Sequence, residues 1–363
     1  MSRTWIVTAL VCALSSPLFA QEPKPCVDVV LIVDESTNIW VDYIAWLGST
    51  VAALQSDYQA TGVGNSSSCP NRYILVGFGS FAEGHGNDQR AHIHGTWMDA
   101  GSMVANLQTL VQWGDTEDGY EAIKTALTTL TFRKGAFRAV ILLTNEDRYV
   151  FDPVTREDIL KLLGGKDPSL QSKDAALSGV LDANFKADGL CDVLGVKWDG
   201  TAYIPAGGDK YYIVPGGSFV SGDGTTRVDY VELCWQDRGS AWNVNQIWTH
   251  GAALTNALTD VKVAELKPAV ETESATPGAT RTYLMGHCLH DGGQLCTFWF
   301  EYRKASSLSW KKSAEWFPTF TDDWFSDEIK GLTPSTNYVF RAWIKNSIMS
   351  AVGETWTFRT LNQ

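Results

Sequence analysis

Past its first twenty residues the chain has no apolar run near the ~18 residues that cross a bilayer, so no membrane insertion is expected. It is short of positive charge: 29 Lys and Arg stand against 41 Asp and Glu in 363 residues, a net of −12. A nucleic-acid binder normally presents a basic face, so no nucleic-acid partner is expected. Cysteines at C-x-x-C spacing are absent, which argues against a structural zinc site. Also missing are a Gly-x-Ser-x-Gly elbow, a His-Glu-x-x-His helix and a Walker loop. Gly207-Gly208, Gly216-Gly217 and Gly222-Asp223-Gly224 have turn spacing, not phosphate-loop spacing. The chain therefore reads as non-enzymatic. What is present is apolar bulk: 44% hydrophobic against 19% charged residues, enough for a sizeable core. The length exceeds one ordinary domain.

Residues 1–20 read as a secretory signal peptide. Arg3 precedes an apolar run from Trp5 to Leu14, and the small residue Ala20 marks the cut. No hydrophobic tail closes the sequence, so a secreted, extracellular protein is expected. Cysteine usage agrees. Setting aside Cys12 in the leader leaves six: Cys26, Cys69, Cys191, Cys234, Cys288 and Cys296. An even number in an exported chain points to disulfides, with fifteen possible pairings. Nearest neighbours along the expected strand layout would give 26–69, 191–234 and 288–296. The sequon Asn65-Ser66-Ser67 makes Asn65 a glycosylation candidate.

Up to about residue 265, strand and helix patterns alternate. Val27–Val33 is near-continuously apolar, as a strand covered on both faces should be. Ile44, Leu47, Val51, Leu54 and Tyr58 recur at helical spacing. Tyr73–Phe78 and Ala139–Thr144 predict two further strands, and Val193–Val196 a fourth. Asp99 is placed to cap a helix through Met103 and Leu107, and Tyr120, Ile123 and Leu127 mark another. Thr155 and Asp158 form a capping-box pattern ahead of Ile159 and Leu163. Tyr211–Val214 and Tyr230–Leu233 read as a hairpin insertion, and Leu254, Leu258 and Val261 as a closing helix. This order predicts a doubly wound α/β fold, whose ligands bind at carboxyl ends of strands near a switch in strand order.

Three segments fall at such ends: Asp34-Glu35-Ser36-Thr37-Asn38, Gly114-Asp115-Thr116-Glu117-Asp118-Gly119 and Thr144-Asn145-Glu146-Asp147-Arg148. Short oxygen side chains converging there suit a hard cation such as Mg²⁺. These segments, in this order and spacing across roughly residues 26–265, resemble the von Willebrand factor type A domain family. The resemblance implies a metal-ion-dependent adhesion site for Mg²⁺ or Mn²⁺, in which a partner's carboxylate fills the ion's free position. Asp34, Ser36 and Thr116 match that family's pattern. Asn38 stands where it has a second serine, and Asn145 where it usually has aspartate. Asn145 keeps the shape of the side chain and removes a negative charge, with Asp115, Glu146 and Asp147 nearby to compensate.

Residues 267–277, rich in Glu, Thr, Ser and Ala, are expected as a linker between a domain over 21–266 and one over 278–363. Short alternating runs follow: Thr282–Cys288, Thr297–Tyr302, Trp310–Trp316, Tyr338–Trp343 and Thr355–Arg359. They predict an all-β sandwich. Leu332-Thr333-Pro334-Ser335-Thr336-Asn337-Tyr338 is similar to the approach to strand F in fibronectin type III domains, which implies a corner hydrogen bond from this Tyr.

His85, His92 and His94 lie close in sequence, and His92 and His94 would share one face of a strand. They read as candidate ligands of one ion, His92 and His94 together, or as solvated loop histidines. His287 and His290 are expected in a loop or at an edge. Trp299, Trp310, Trp316 and Trp324 could stack on carbohydrate if exposed, or fill the sandwich core. The reading is a secreted, non-enzymatic adhesion protein that binds an extracellular protein or matrix ligand. The alternatives are carbohydrate binding through the sandwich, or a structural role with a metal-free first domain.

Overall fold

The computed structural model describes residues 25–36, 41–80, 90–111, 113–114, 116–150, 153–164, 176–190 and 192–362. The signal peptide expected at 1–20, Asn38, Asp115, His85 and Cys191 lie outside the described residues.

The first domain opens with β1 (Val27–Asp34), α1 (Val41–Ala60), β2 (Arg72–Phe78), β3 (His92–Met98), α2 (Ala100–Asn106) and α3 (Gly119–Thr129). It continues through β4 (Phe137–Thr144), α4 (Arg156–Gly164), β5 (Ala176–Leu181), β6 (Ala183–Lys186), β7 (Gly195–Lys197), β8 (Ala202–Gly207) and β9 (Lys210–Val214). It closes with β10 (Ser218–Gly222), α5 (Glu232–Gln236), β11 (Ser240–Asn243) and α6 (Ile247–Ala264). Nine strands form one mixed sheet in the order β3-β2-β1-β4-β5-β11-β7-β8-β9. The centre, β2-β1-β4-β5-β11, is parallel, and the flanking pairings are antiparallel. From β1 the chain passes to β2 on one side, and β4 then takes the other side. The switch in strand order therefore lies at β1.

Helices cover both faces. Val27, Val29, Leu31 and Val33 pack with α1 and α6, while Val30 and Ile32 pack with α3 and α4. This two-sided cover is why β1 reads as an unbroken apolar run. Local signals agree with the observed ends. Asp99 accepts from Ser102 N–H at 2.9 Å. Thr155 and Asp158 exchange backbone and side-chain hydrogen bonds at 3.0 and 3.2 Å, the reciprocal geometry of a capping box.

Three sequence expectations differ. The fourth parallel strand is β5, not Val193–Val196, whose region gives the short antiparallel β7. Tyr211–Val214 does form a hairpin strand, but its partner is β8. Tyr230–Leu233 is helical and turns Tyr230 into the core.

The second domain contains β12 (Ala269–Pro277), β13 (Arg281–His290), β14 (Cys296–Lys304), β15 (Lys311–Lys312), β16 (Trp316–Thr319), β17 (Trp324–Lys330), β18 (Asn337–Lys345), β19 (Ser350–Val352) and β20 (Trp356–Arg359). The stretch expected as a linker is thus almost wholly its first strand. One sheet runs β12-β13-β17, and the other is built around β14 and β18. Phe300, Phe325, Phe340 and Ile344 lie between them. Tyr338 Oη accepts from Thr333 N–H at 3.0 Å, closing the turn ahead of β18.

The domains meet through polar contacts. Asn346 donates to Leu266 O at 2.9 Å, Gln294 to Gly135 O at 2.6 Å, and Arg238 pairs with Asp322 at 3.0 Å. Gly135 precedes β4 and Arg238 precedes β11, so the second domain sits at the amino ends of the central strands.

Cys26 and Cys69 are bonded. Cys234, Cys288 and Cys296 are buried free thiols, so the expected 288–296 bond is not formed, while the 191–234 pairing involves Cys191, outside the described residues. Cys288 and Cys296 nonetheless lie in thiol–thiol contact, and this contact and burial push the Cys296 thiol far up. Asn65 is exposed after α1, its amide donating to Gln59 O. The bonded pair spans 43 residues, which in the chain-entropy picture stabilises by about 4 kcal/mol. Replacing both cysteines by Ser is expected to lower Tm by roughly 10 °C in a thermal melt; a drop under about 2 °C would show that the bond adds little.

Candidate functional site

The site grows from the end of β1. Glu35 N–H still donates to Phe78 O at 2.7 Å, and the chain then leaves the sheet. Asp34 is fully buried. Its Oδ1 accepts from Ser36 N–H at 2.8 Å and its Oδ2 from the Thr144 hydroxyl, at the end of β4, at 2.7 Å. Burial pushes its carboxyl up to about 7; these hydrogen bonds oppose the shift, and the charge of Glu146 adds to it. No basic side chain pairs with Asp34 among the described residues. The Ser36 Oγ and Asn145 Oδ1 atoms are buried too, with no hydrogen-bond partner. Both are oxygen acceptors, and both lie on the chain segments that Asp34 joins.

Asp28, near the other end of β1, is equally buried. It receives Arg72 Nε at 2.8 Å, Arg133 Nε at 2.8 Å and Arg133 N–H at 2.9 Å. Buried charges in proteins are either paired or coordinate metals. Asp28 is paired and Asp34 is not.

The third segment is held by α3 and its cap. Asp118 accepts from Tyr120 N–H at 3.1 Å and from Arg148 Nε at 2.6 Å, and the guanidinium lies 4.0 Å over the Tyr120 ring. Gly119 N–H donates to Tyr230 Oη at 3.0 Å, so the helical insertion braces this loop. A Cβ at Gly119 would lie 2.8 Å from that ring, which requires glycine there. Tyr149 N–H donates to Glu117 O at 2.7 Å, tying the loop after β4 to the loop before α3. Thr116 is half-buried in that loop. A Cβ on Gly79 would meet Glu117 Cγ at 3.0 Å and Asp34 Oδ1 at 3.3 Å, which places Glu117 beside Asp34.

Of the expected ligands, the structure therefore brings Asp34, Ser36 and Asn145 to the same strand ends, with Thr116 in the adjoining loop. Asp147 turns away and accepts from Thr225 N–H at 3.0 Å. The donor set fits a hard cation: one carboxylate, hydroxyls and an amide oxygen, two of these oxygens buried without partners.

Sequence reasoning missed Glu35 and the role of His94. Glu35 is fully buried; it accepts from Val111 N–H at 2.8 Å and contacts His94 Nε2 at 3.2 Å. His94 Nδ1 contacts the Thr109 hydroxyl at 3.2 Å. The histidine reading is thus corrected: His94 is a buried strand residue that anchors the loop carrying Asp34 and Ser36. The signal available was an acid placed between two candidate ligands. Nothing in the sequence pointed to its partner 59 residues on.

The tryptophans divide. Trp299 is buried and stacked on Trp343 at 5.5 Å, and Trp310 is half-buried under the guanidinium groups of Arg303 and Arg341. Trp316 and Trp324 are 50% and 55% exposed. Trp310 and Trp316 therefore do not form the open pair a sugar platform would need.

No protein-family model and no curated protein matches the chain. Among solved structures, it is similar to the sensor domain of the anti-sigma factor RsgI4 of Pseudobacteroides cellulosolvens: 22% identity, 26% of this chain, 96% of that one, TM-score 0.23. It is also similar to proximal thread matrix protein 1 of the mussel byssus, solved with a zinc-occupied MIDAS motif: 12% identity, 44% of this chain, 36% of that one, TM-score 0.32. A third is the pilus adhesin SpaC of Lactobacillus rhamnosus GG: 13% identity, 94% of this chain, 44% of that one, TM-score 0.40. The chain spans less than half the length of the last two.

Because the Asp34 carboxyl is raised, its ionised form costs stability as pH climbs from about 4 through about 7. Asp34→Asn is expected to raise Tm at pH 8 in metal-free buffer by about 5 °C, with the gain fading toward pH 4. A Tm at pH 8 below that of the unsubstituted chain would contradict this.

Proposed function

We propose that this is a secreted, non-enzymatic adhesion protein whose first domain binds an extracellular protein or matrix ligand through a divalent cation. One observation carries the reading: a fully buried Asp34 with no basic partner among the described residues, hydrogen-bonded to the chain at Ser36 and Thr144, where the Ser36 and Asn145 side-chain oxygens are buried with no hydrogen-bond partner. Asp34, Ser36, Thr116 and Asn145 would hold Mg²⁺ or Mn²⁺. The bound ion would supply a Lewis-acidic position for a carboxylate of the ligand. The chain's own residues hold the frame: Thr144 and Ser36 N–H orient the Asp34 carboxylate, Glu35 fixes the loop between β1 and α1, and the Asp118–Arg148 pair sets the entry to α3. The resemblance to von Willebrand factor type A and fibronectin type III domains supports the same reading, as does the Cys26–Cys69 bond. No helix among the described residues is long and apolar enough to cross a membrane.

Asn145 brings an oxygen without a charge, so this site is expected to bind its ion weakly and to be strengthened by restoring charge. Calorimetric titration of Mg²⁺ and Mn²⁺ into the chelator-stripped chain tests this. Saturable binding is expected, lost in Asp34→Ala and tightened roughly ten-fold in Asn145→Asp. Binding that appears only in Asn145→Asp would mean adhesion without a cation, and no heat in either chain would remove the site.

A further inference from the structure

A second cluster of metal-ligating groups lies far from the strand ends, on the second domain. Glu271 and Glu273 on β12 and His287 on β13 each offer a ligand atom, and these atoms all lie within 4.8 Å of one another. We propose that these three residues form a binding site for a borderline divalent ion of the Zn²⁺ class.

The sheet register builds the cluster. Glu271 is the direct partner of His287 in the β12–β13 pairing, which puts the two on one face, and Glu273 follows in the register shift between Thr272 and Ala275, its ligand atom reaching the same cluster. That face is the outer one: Thr272, between the two acids, is buried inward, as is Cys288 beside the histidine. The imidazole is also oriented. His287 pairs with Trp324 on β17, and the two rings stack at 4.4 Å with planes 8° apart. Stacking fixes the plane of the imidazole and leaves its nitrogens at the ring edge, where a ligand bond must form.

None of the three side chains makes a hydrogen bond or ion pair with another described residue. Two carboxylates therefore face one another without a cation, although Lys and Arg side chains pair with acids at many other points on the surface. An ion between them would remove that repulsion. The donor set chooses the ion. One nitrogen and two carboxylate oxygens suit Zn²⁺, whose bonds to them are about 2.0–2.2 Å; Mg²⁺ and Ca²⁺ prefer oxygen alone. A tetrahedral ion of that size needs ligand atoms somewhat closer than they stand, within the reach of a glutamate rotamer change. Three protein ligands leave one position toward solvent, open to a side chain of a partner protein.

This site does not rest on the strand-end site, and the test keeps them apart. Zn²⁺ is titrated calorimetrically into the full, chelator-stripped chain carrying Asp34→Ala. One saturable ion per chain is expected, at least about ten-fold weaker in His287→Ala and in Glu273→Gln, with millimolar Mg²⁺ unable to displace it. Should His287→Ala disturb the stack with Trp324, Glu271→Gln with Glu273→Gln leaves the ring in place and gives the same readout. The buried thiols of Cys288, Cys296 and Cys234 remain in every variant. Zn²⁺ affinity unchanged by the double glutamine variant, or no saturable binding at all, overturns the proposal.

Discussion

The first domain is organised around one strand with a buried aspartate near each end. Between Asp28 and Asp34, β1 is covered on both faces and paired on both edges. Neither carboxylate can reach bulk water, so each must be neutralised by what the fold brings to it. At the amino end two arginines converge on Asp28. At the carboxyl end, among the described residues, only neutral donors reach Asp34. The asymmetry gives the domain a closed pole and a chemically open one.

The open pole depends on contacts that hold the described parts of three loops. Glu35 binds the loop after α2 and the strand β3 at once. Asp118 serves both as helix cap and as partner to Arg148. Tyr230 reaches in from an insertion that precedes α5 and holds Gly119. These contacts come from elements scattered across about 200 residues of sequence. They set the backbone but leave the Ser36 and Asn145 oxygens uncommitted, which is the arrangement expected where rigidity serves binding.

Much of this was legible in the sequence, for identifiable reasons. The apolar run of β1, the helical spacing of α1 and the reciprocal Thr155–Asp158 cap are local patterns, and local physics made them. The failures are tertiary. β5 carries Ser178 and Gly179, poor strand formers, because a Cβ at Gly179 would stand 2.9 Å from Cys234 Sγ; close packing overrode propensity. The segment at Tyr230 has a strand's composition, but its tyrosine is recruited to Gly119. The stretch at 267–277 looks like a polar linker because one face of β12 is solvent-facing, while Thr272 turns inward and accepts from Ala342 N–H at 3.0 Å. At the site, the ligand types could be read, but the glutamate brace and the arginine on Asp118 could not, since each needs a partner distant in sequence.

The two poles also carry a mechanical meaning. The second domain is fastened at the amino ends of the central strands, through Gly135, Arg238 and Leu266, and the open pole lies at their carboxyl ends. Were a ligand held at Asp34, a pull between it and the second domain would run along β1 and β4. Their ladder hydrogen bonds would stand across that line of force and be loaded in shear, all together, instead of being unzipped one at a time. The cross-link from Cys26 to Cys69 shortens the extensible chain at the strand's starting end. A sheet threaded this way would resist traction along its own strands, the direction in which a tethered ligand would draw it.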